Sequence, residues 1–138
     1  MSHSSHEQPL YGKRVLLAED EVRLRTVVSM MLEELGAEVI EAEDGLAAVR
    51  AFTKNPNIDL VLLDIRMTGM SGSSAFEILL QIEPNVRVVL SSGVAPDKEL
   101  VERLRANRCG FIEKPFSLDN LSAVLCKVLA GEAAIETT

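Results

Sequence analysis

The sequence predicts an α/β domain of five parallel strands covered by helices on both faces, and three observations carry that prediction. Short apolar runs of strand length alternate with longer segments whose apolar residues recur every three or four positions. One run, Leu60-Val61-Leu62-Leu63, is apolar at every position, as a strand buried on both faces requires. Cap and breaker residues (Gly36, Asp44, Asn55-Pro56, Ser117) fall between these segments rather than inside them.

Taken in order, Val15 to Ala18 is the first strand. Glu21 to Leu35 reads as an amphipathic helix with Leu24, Val28, Met31 and Leu35 on one face and Gly36 just past its end. Val39-Ile40 is the second strand. Asp44 caps the next helix, which turns Gly45, Ala48, Val49 and Phe52 to one side until Asn55-Pro56 breaks it. Ile58 to Asp64 is the third strand, and Thr68 to Gly72 is a turn. The helix after it points Ala75, Phe76, Leu79 and Ile82 inward. Val86 to Leu90 is the fourth strand, and a helix from Asp97 to Ala106 carries Leu100, Val101 and Leu104. Gly110 to Glu113 is the fifth strand. Ser117 caps a last helix whose inner stripe is Leu121, Val124, Leu125 and Val128. Each strand-to-strand crossover is expected to be right-handed. The expected organisation is a flexible tail over 1–12, one domain over 13–130 and a frayed tail over 131–138.

Composition narrows the function classes. The chain has 138 residues, 47% hydrophobic and 25% charged, which fits one soluble core and excludes collagen, coiled coil and wholesale disorder. A net charge of −7 gains nothing from a phosphate backbone, so direct nucleic-acid binding is disfavoured. No apolar run is long enough to span a bilayer, and Met1 to Gln8 lacks the apolar core of a signal peptide. Cys109 and Cys126 form no metal or disulfide framework and read as buried reduced thiols, pointing to the cytoplasm.

Ligands of an open α/β sheet bind beyond the carboxyl ends of its strands. Here those ends read Glu19-Asp20, Asp64, Ser91-Ser92 and Lys114. If the first strand lies beside the third, three carboxylates converge, and like charges so close raise one another's proton affinity unless a cation intervenes. A hard divalent ion, Mg²⁺ or Mn²⁺, resolves that conflict. With Lys114 as a second positive charge and Ser92 as a hydroxyl donor, the constellation suits phosphoryl transfer to a carboxylate. Each residue alone also has a plain structural reading. Glu19 and Asp20 can begin a helix whose dipole favours acids, Ser91 and Ser92 can be ordinary strand-end polar residues, and Lys114 can be a surface lysine. Asp64 is harder to dismiss, because a carboxylate closing a run of four apolar residues is costly to bury unpaired.

Four segments, Val15 to Glu21 (VLLAEDE), Leu60 to Gly72 (LVLLDIRMTGMSG), Val88 to Gly93 (VVLSSG) and Gly110 to Phe116 (GFIEKPF), resemble the response-regulator receiver domains of two-component signalling. The resemblance runs from about Lys13 to Leu129. It implies a flavodoxin-like fold with strand order 2-1-3-4-5. It also implies Asp64 as phosphoacceptor and Glu19 and Asp20 as the acidic pair holding Mg²⁺, with the Arg66 backbone carbonyl as a further ligand. Ser92 resembles the switch hydroxyl, Lys114 the phosphate-pairing lysine, Phe111 the switch aromatic and Gly93 the small residue beside the phosphate. A cis Lys114–Pro115 peptide is implied as well. Phosphate on Asp64 is expected to draw Ser92 inward and let Phe111 rotate toward the core.

Three residues depart from the family pattern. Thr68 stands where proline is common, loosening that turn. Phe111 replaces a frequent tyrosine, and Glu19 a commoner aspartate, a longer arm suited to binding metal through water. The implied partner is a histidine kinase or histidine phosphotransferase, the implied role a signalling switch rather than an enzyme, and a homodimer through the last helices is compatible with both. No output domain is expected after the last helix. The LSSG and GFIEKPF strings resemble receivers of hybrid histidine kinases, leaving a stand-alone regulator and a hybrid-kinase receiver both open. An aspartyl-phosphate hydrolase of the haloacid-dehalogenase type would carry Asp-x-Asp after the first strand, where this chain has Glu19-Asp20-Glu21. A flavin carrier would need a glycine- and hydroxyl-rich loop there, and an acidic turn repels phosphate.

Overall fold

Apolar strands that cannot be left in water pair first with one another, and here they run β1 (Arg14–Ala18), β2 (Glu38–Ala42), β3 (Leu60–Asp64), β4 (Val88–Ser92), β5 (Gly110–Glu113) and β6 (Ala134–Glu136). The computed structural model describes residues 8–137. Its strands form one parallel sheet in the order β2-β1-β3-β4-β5-β6. The helices are α1 (Val22–Glu34), α2 (Gly45–Lys54), α3 (Gly72–Ile82), α4 (Lys98–Ala106) and α5 (Leu118–Leu129). Strand alternation divides the core in two. Val15, Leu17, Leu60, Leu62, Val89 and Ile112 face α1 and α5. Leu16, Ala18, Val61, Leu63, Leu90 and Phe111 face α2, α3 and α4. β3 is buried along its whole length, whereas the edge strand β2 exposes Glu38 and Glu41, charges that discourage further edge pairing.

The caps form where the sequence places them. Asp44 accepts from the Ala47 amide at 2.7 Å and Ser117 from Asn120 at 3.1 Å, while Asp97, expected only as a helix start, caps α4 by accepting from Leu100 at 2.8 Å. Gly36 follows α1 with a φ of +99°, and a side chain there would meet the Tyr11 backbone, so only glycine turns the chain at this point.

Several expectations need correction. The sheet has a sixth strand, β6, inside the segment 131–138 that the sequence reads as frayed. Ala134 packs with α5 and Ile135 packs on the α4 side of the core, so β6 is held by pairing with β5 rather than by any local pattern. The amino-terminal tail to residue 12 is also not wholly loose. Leu10 is fully buried and its amide donates to the Leu35 carbonyl, while residues 1–7 lie outside the described residues. β4 spans Val88–Ser92 rather than Val86 to Leu90, because Val86 belongs to a turn bonded to Glu83 and both serines complete the ladder. β3 starts at Leu60, two residues later than expected. Ile82 is exposed, because Leu80 joins Ala75, Phe76 and Leu79 on the buried stripe of α3. Cys109 is buried but Cys126 only half-buried; both are free thiols.

Candidate functional site

Because β1 pairs with β3, the residues leaving β1 stand next to the end of β3, and the serines ending β4 come next in line. Glu19, Asp20 and Asp64 each place a carboxylate oxygen within 4.8 Å of the others. Glu19 and Asp64 are buried and Asp20 is half-buried. The first helix does not use this pair as its cap; Glu21 does, accepting from the Leu24 amide at 3.0 Å. That leaves Glu19 and Asp20 free to face the sheet edge.

Lys114, just after β5, reaches across this edge. Its Nζ lies 2.8 Å from Glu19 Oε1 and 3.2 Å from Asp64 Oδ1. The Lys114–Pro115 peptide is cis, as the family pattern implies. Arg25, which sequence reasoning does not single out, and Thr68, which it singles out only as a loosened turn, steady the acidic turn. Arg25 donates from Nη1 to the Glu19 carbonyl at 2.7 Å and from Nε to Glu41 at 3.1 Å. Thr68 donates to Asp20 Oδ2 from its backbone amide at 2.9 Å and from its hydroxyl at 3.1 Å. An arginine one turn into α1 carries no recognisable signal. The Thr68 signal was present, since a residue in place of proline regains an amide donor.

The electrostatics follow from this geometry. Burial pushes the Asp64 carboxyl up; the Lys114 charge pulls it down and the Glu19 charge adds to the rise. The Thr68 amide holds Asp20 below the usual carboxylate range. Burial raises the Cys109 thiol, which leaves it unreactive.

Ser92 ends β4 and its Oγ accepts from the Val94 amide at 3.1 Å, while its carbonyl accepts from the Lys114 amide at 2.7 Å. Phe111 is wholly buried on the α2–α3–α4 side, so in this conformation the ring is already inside. Arg66 sits with an exposed side chain two residues beyond Asp64. Gly93 is exposed, and nothing lies within 4 Å of where its Cβ would be, so packing does not demand glycine there. A groove lined by Phe52, Pro56, Ile58, Ile82 and Arg87 lies at the opposite end of the strands and includes none of these residues.

Gly72 sits where the loop from Asp64 returns to start α3. A Cβ there would stand 2.8 Å from the Asp64 carbonyl carbon and closer still to its oxygen. Backbone atoms cannot rotate away, so the helix and strand must separate. Gly72→Ala is expected to lower unfolding free energy by ~3 kcal/mol in denaturant titration, well above the ~1 kcal/mol that alanine recovers in helix propensity. An unchanged midpoint would show that the two backbones have slack.

The carboxyl end of the parallel sheet thus gathers three carboxylates crossed by a lysine, a cluster able to hold a metal ion. The response regulator receiver domain pattern matches residues 15–126, and the chain belongs to that family, whose members act as signalling modules rather than classical enzymes. It is 32% identical over 118 residues to the chemotaxis protein CheY of Thermotoga maritima, covering 85% of this chain and 98% of that one. It is also 33% identical over 111 residues to the sensor kinase/phosphatase LuxN of Vibrio harveyi, covering 80% of this chain but 13% of LuxN. Among solved structures, TrrA of Thermotoga maritima in complex with Mg²⁺ and BeF matches with a TM-score of 0.75 at 28% identity, over 84% of this chain and 98% of that one. A chain of the CheX–CheY–BeF3–Mg²⁺ complex of Borrelia burgdorferi matches with a TM-score of 0.75 at 28% identity, over 87% and 89%. The acidic pocket of Glu19, Asp20 and Asp64 is typical of phosphoacceptor receivers and able to hold a metal. Among the described residues, no helix is long and apolar enough to cross a membrane.

Proposed function

We propose that this receiver accepts a phosphoryl group from a phosphohistidine donor on Asp64 and relays the change through its surface. The observation that carries this reading is the Lys114 ammonium lying between Glu19 Oε1 at 2.8 Å and Asp64 Oδ1 at 3.2 Å, beside a three-carboxylate cluster. An Asp64 oxygen attacks phosphorus as the donor's P–N bond breaks and the imidazole leaves. Lys114 then exchanges its hold on Asp64 for a phosphoryl oxygen while keeping Glu19, which limits the charge left uncompensated. The Ser92 hydroxyl, accepting from Val94 at rest, turns its own proton to another phosphoryl oxygen. With Phe111 already buried, the response lies chiefly in the Ser92–Val94 turn and the start of α4, as a shift between pre-existing states.

The donor set is all carboxylate oxygen, with no thiolate or imidazole, which fits Mg²⁺ or Mn²⁺. Glu19, Asp20, Asp64 and the Arg66 carbonyl would hold it, and the bound ion would neutralise the oxygens of the transferring group. TrrA and the Borrelia CheY complex were both solved with Mg²⁺ and beryllium fluoride, in support of this assignment. A cytoplasmic histidine kinase or phosphotransferase is the donor that this chemistry needs. The LuxN match is in keeping with a hybrid-kinase receiver, the CheY match with a stand-alone regulator. β6 covers the outer edge of β5, so a homodimer through the last helices would use the surfaces of α4 and α5.

Incubation with a small phosphodonor and Mg²⁺ is expected to add the mass of one phosphoryl group, and EDTA to prevent it. Equal labelling in EDTA would remove the metal from the reading.

A further inference from the structure

Three carboxylates that repel one another will separate unless something holds them, and the two buried ones have Lys114. Asp20, the most accessible of the three, has no ion pair with that lysine among the described residues. What it has is Thr68. The amide and the hydroxyl of this one residue both donate to the same oxygen, Oδ2, from 48 positions further along the chain. Two donors on one oxygen fix the plane of a carboxylate as well as its position, and its second oxygen remains available as a ligand. Gly69, next in sequence, turns the backbone with a φ of +78°, so Thr68 ends its loop facing the acidic turn.

We propose that Thr68 is a positioning residue for the divalent cation, holding Asp20 in the cluster against its neighbours' repulsion and so setting the affinity for the ion. This rests on the reading above that Glu19, Asp20 and Asp64 hold such an ion. Two effects compete. Hydrogen bonds drain charge from the ligand oxygens, which weakens their attraction for a cation. They also fix the ligand in place before the ion arrives, and groups that orient metal ligands typically contribute about 10–100-fold to affinity. Orientation wins here, because an unanchored Asp20 would swing out toward solvent under like-charge repulsion. Proline cannot supply either donor, so a threonine at this position is a gain of function for the site and not merely a looser turn.

Titration calorimetry of the metal-stripped full chain with MgCl2 tests the assignment through four variants. Thr68→Ser keeps both donors and is expected to bind like wild type. Thr68→Val keeps only the amide and is expected to lose several-fold in affinity. Thr68→Pro loses both donors and is expected to fall by about 10–100-fold. Asp20→Asn, which weakens the ligand itself, is expected to fall at least as far as Thr68→Pro. Unfolding midpoints in EDTA should be similar for wild type, Thr68→Ser and Thr68→Val, so that a purely structural role would leave affinity and midpoint moving together. If wild type binds Mg²⁺ and Thr68→Val and Thr68→Pro bind it equally well or more tightly, the positioning role is overturned while the metal site stands. If wild type and Asp20→Asn both fail to bind, the metal reading falls and this inference falls with it.

Discussion

Asp64→Asn is expected to abolish phosphoryl acceptance and, at neutral pH, to make the protein more stable. The first effect is chemical. An amide oxygen is a poor nucleophile, and neither Glu19, held by Lys114 at 2.8 Å, nor Asp20, bonded twice by Thr68, takes its place at the end of β3. The second effect is electrostatic. Asp64 is buried beside Glu19, and burial raises its pKa above the value it has in the unfolded chain. Between those two values the folded protein binds more protons than the unfolded one, so stability is lost as pH rises through that window, and the deficit persists at pH 7. Asparagine has nothing to ionise, and Lys114 keeps its closer partner in Glu19. A gain of about 1 kcal/mol would appear as a rise of ~4 °C in the unfolding temperature of the metal-free protein. The wild type, but not the variant, should gain stability relative to neutral pH as the pH is lowered through the raised pKa of Asp64. Intact-mass analysis after exposure to phosphodonor and Mg²⁺ reads the first effect, and thermal unfolding in EDTA across pH reads the second. Efficient labelling of the variant would remove Asp64 from its role. A variant less stable than wild type at neutral pH would mean that the Lys114 pairing outweighs desolvation.

Much of this was legible in the chain because it is carried by strong local patterns. β3 announces itself as four consecutive apolar residues, and α5 as a full stripe from Leu121 to Val128. The site was legible because strand ends in this architecture are where function sits, and four such ends carry charged or hydroxyl side chains. What escaped reading depends on distant partners. Ala134-Ile135-Glu136 is a strand only because β5 offers a free edge and α4 and α5 leave room for two apolar side chains. Ile82 has a helix-face position by spacing, but Leu80 occupies the buried face and leaves it outside. In the sequence Thr68 reads as a lost constraint because comparison with proline draws attention to ring stiffness; the regained N–H matters only once Asp20 stands beside it. The conformation of Phe111 is a property of packing on Leu90 and the α4 side, which no residue pattern encodes.

The double variant Arg66→Asn, Val94→Glu is expected to lose its phosphoryl group on the order of tenfold faster than wild type. Hydrolysis of an acyl phosphate needs a water in line with the bond that breaks, and the resemblance to receiver domains implies that its approach is flanked by the side chains two residues beyond Asp64 and two beyond Ser92. Here they are Arg66 and Val94, both exposed. Arg66 has only donors, so it can cover phosphoryl oxygens but cannot accept a proton from water. Val94 offers no hydrogen bond from its side chain, yet its backbone is fixed, since its amide donates to Ser92 Oγ at 3.1 Å. A glutamate there would project from an anchored position and supply an acceptor for the attacking water, while asparagine in place of Arg66 would uncover the phosphate. Exposed substitutions of this kind change stability by only about 0.5 kcal/mol, so a faster decay would not be an effect of unfolding. The measurement is a time course of phosphoprotein mass after the phosphodonor is removed, with unfolding temperatures recorded alongside. Slow decay in the wild type and fast decay in the double variant would assign the lifetime to the placement of water. Decay in the variant no faster than in the wild type would show that placement of water by these two side chains does not set the lifetime.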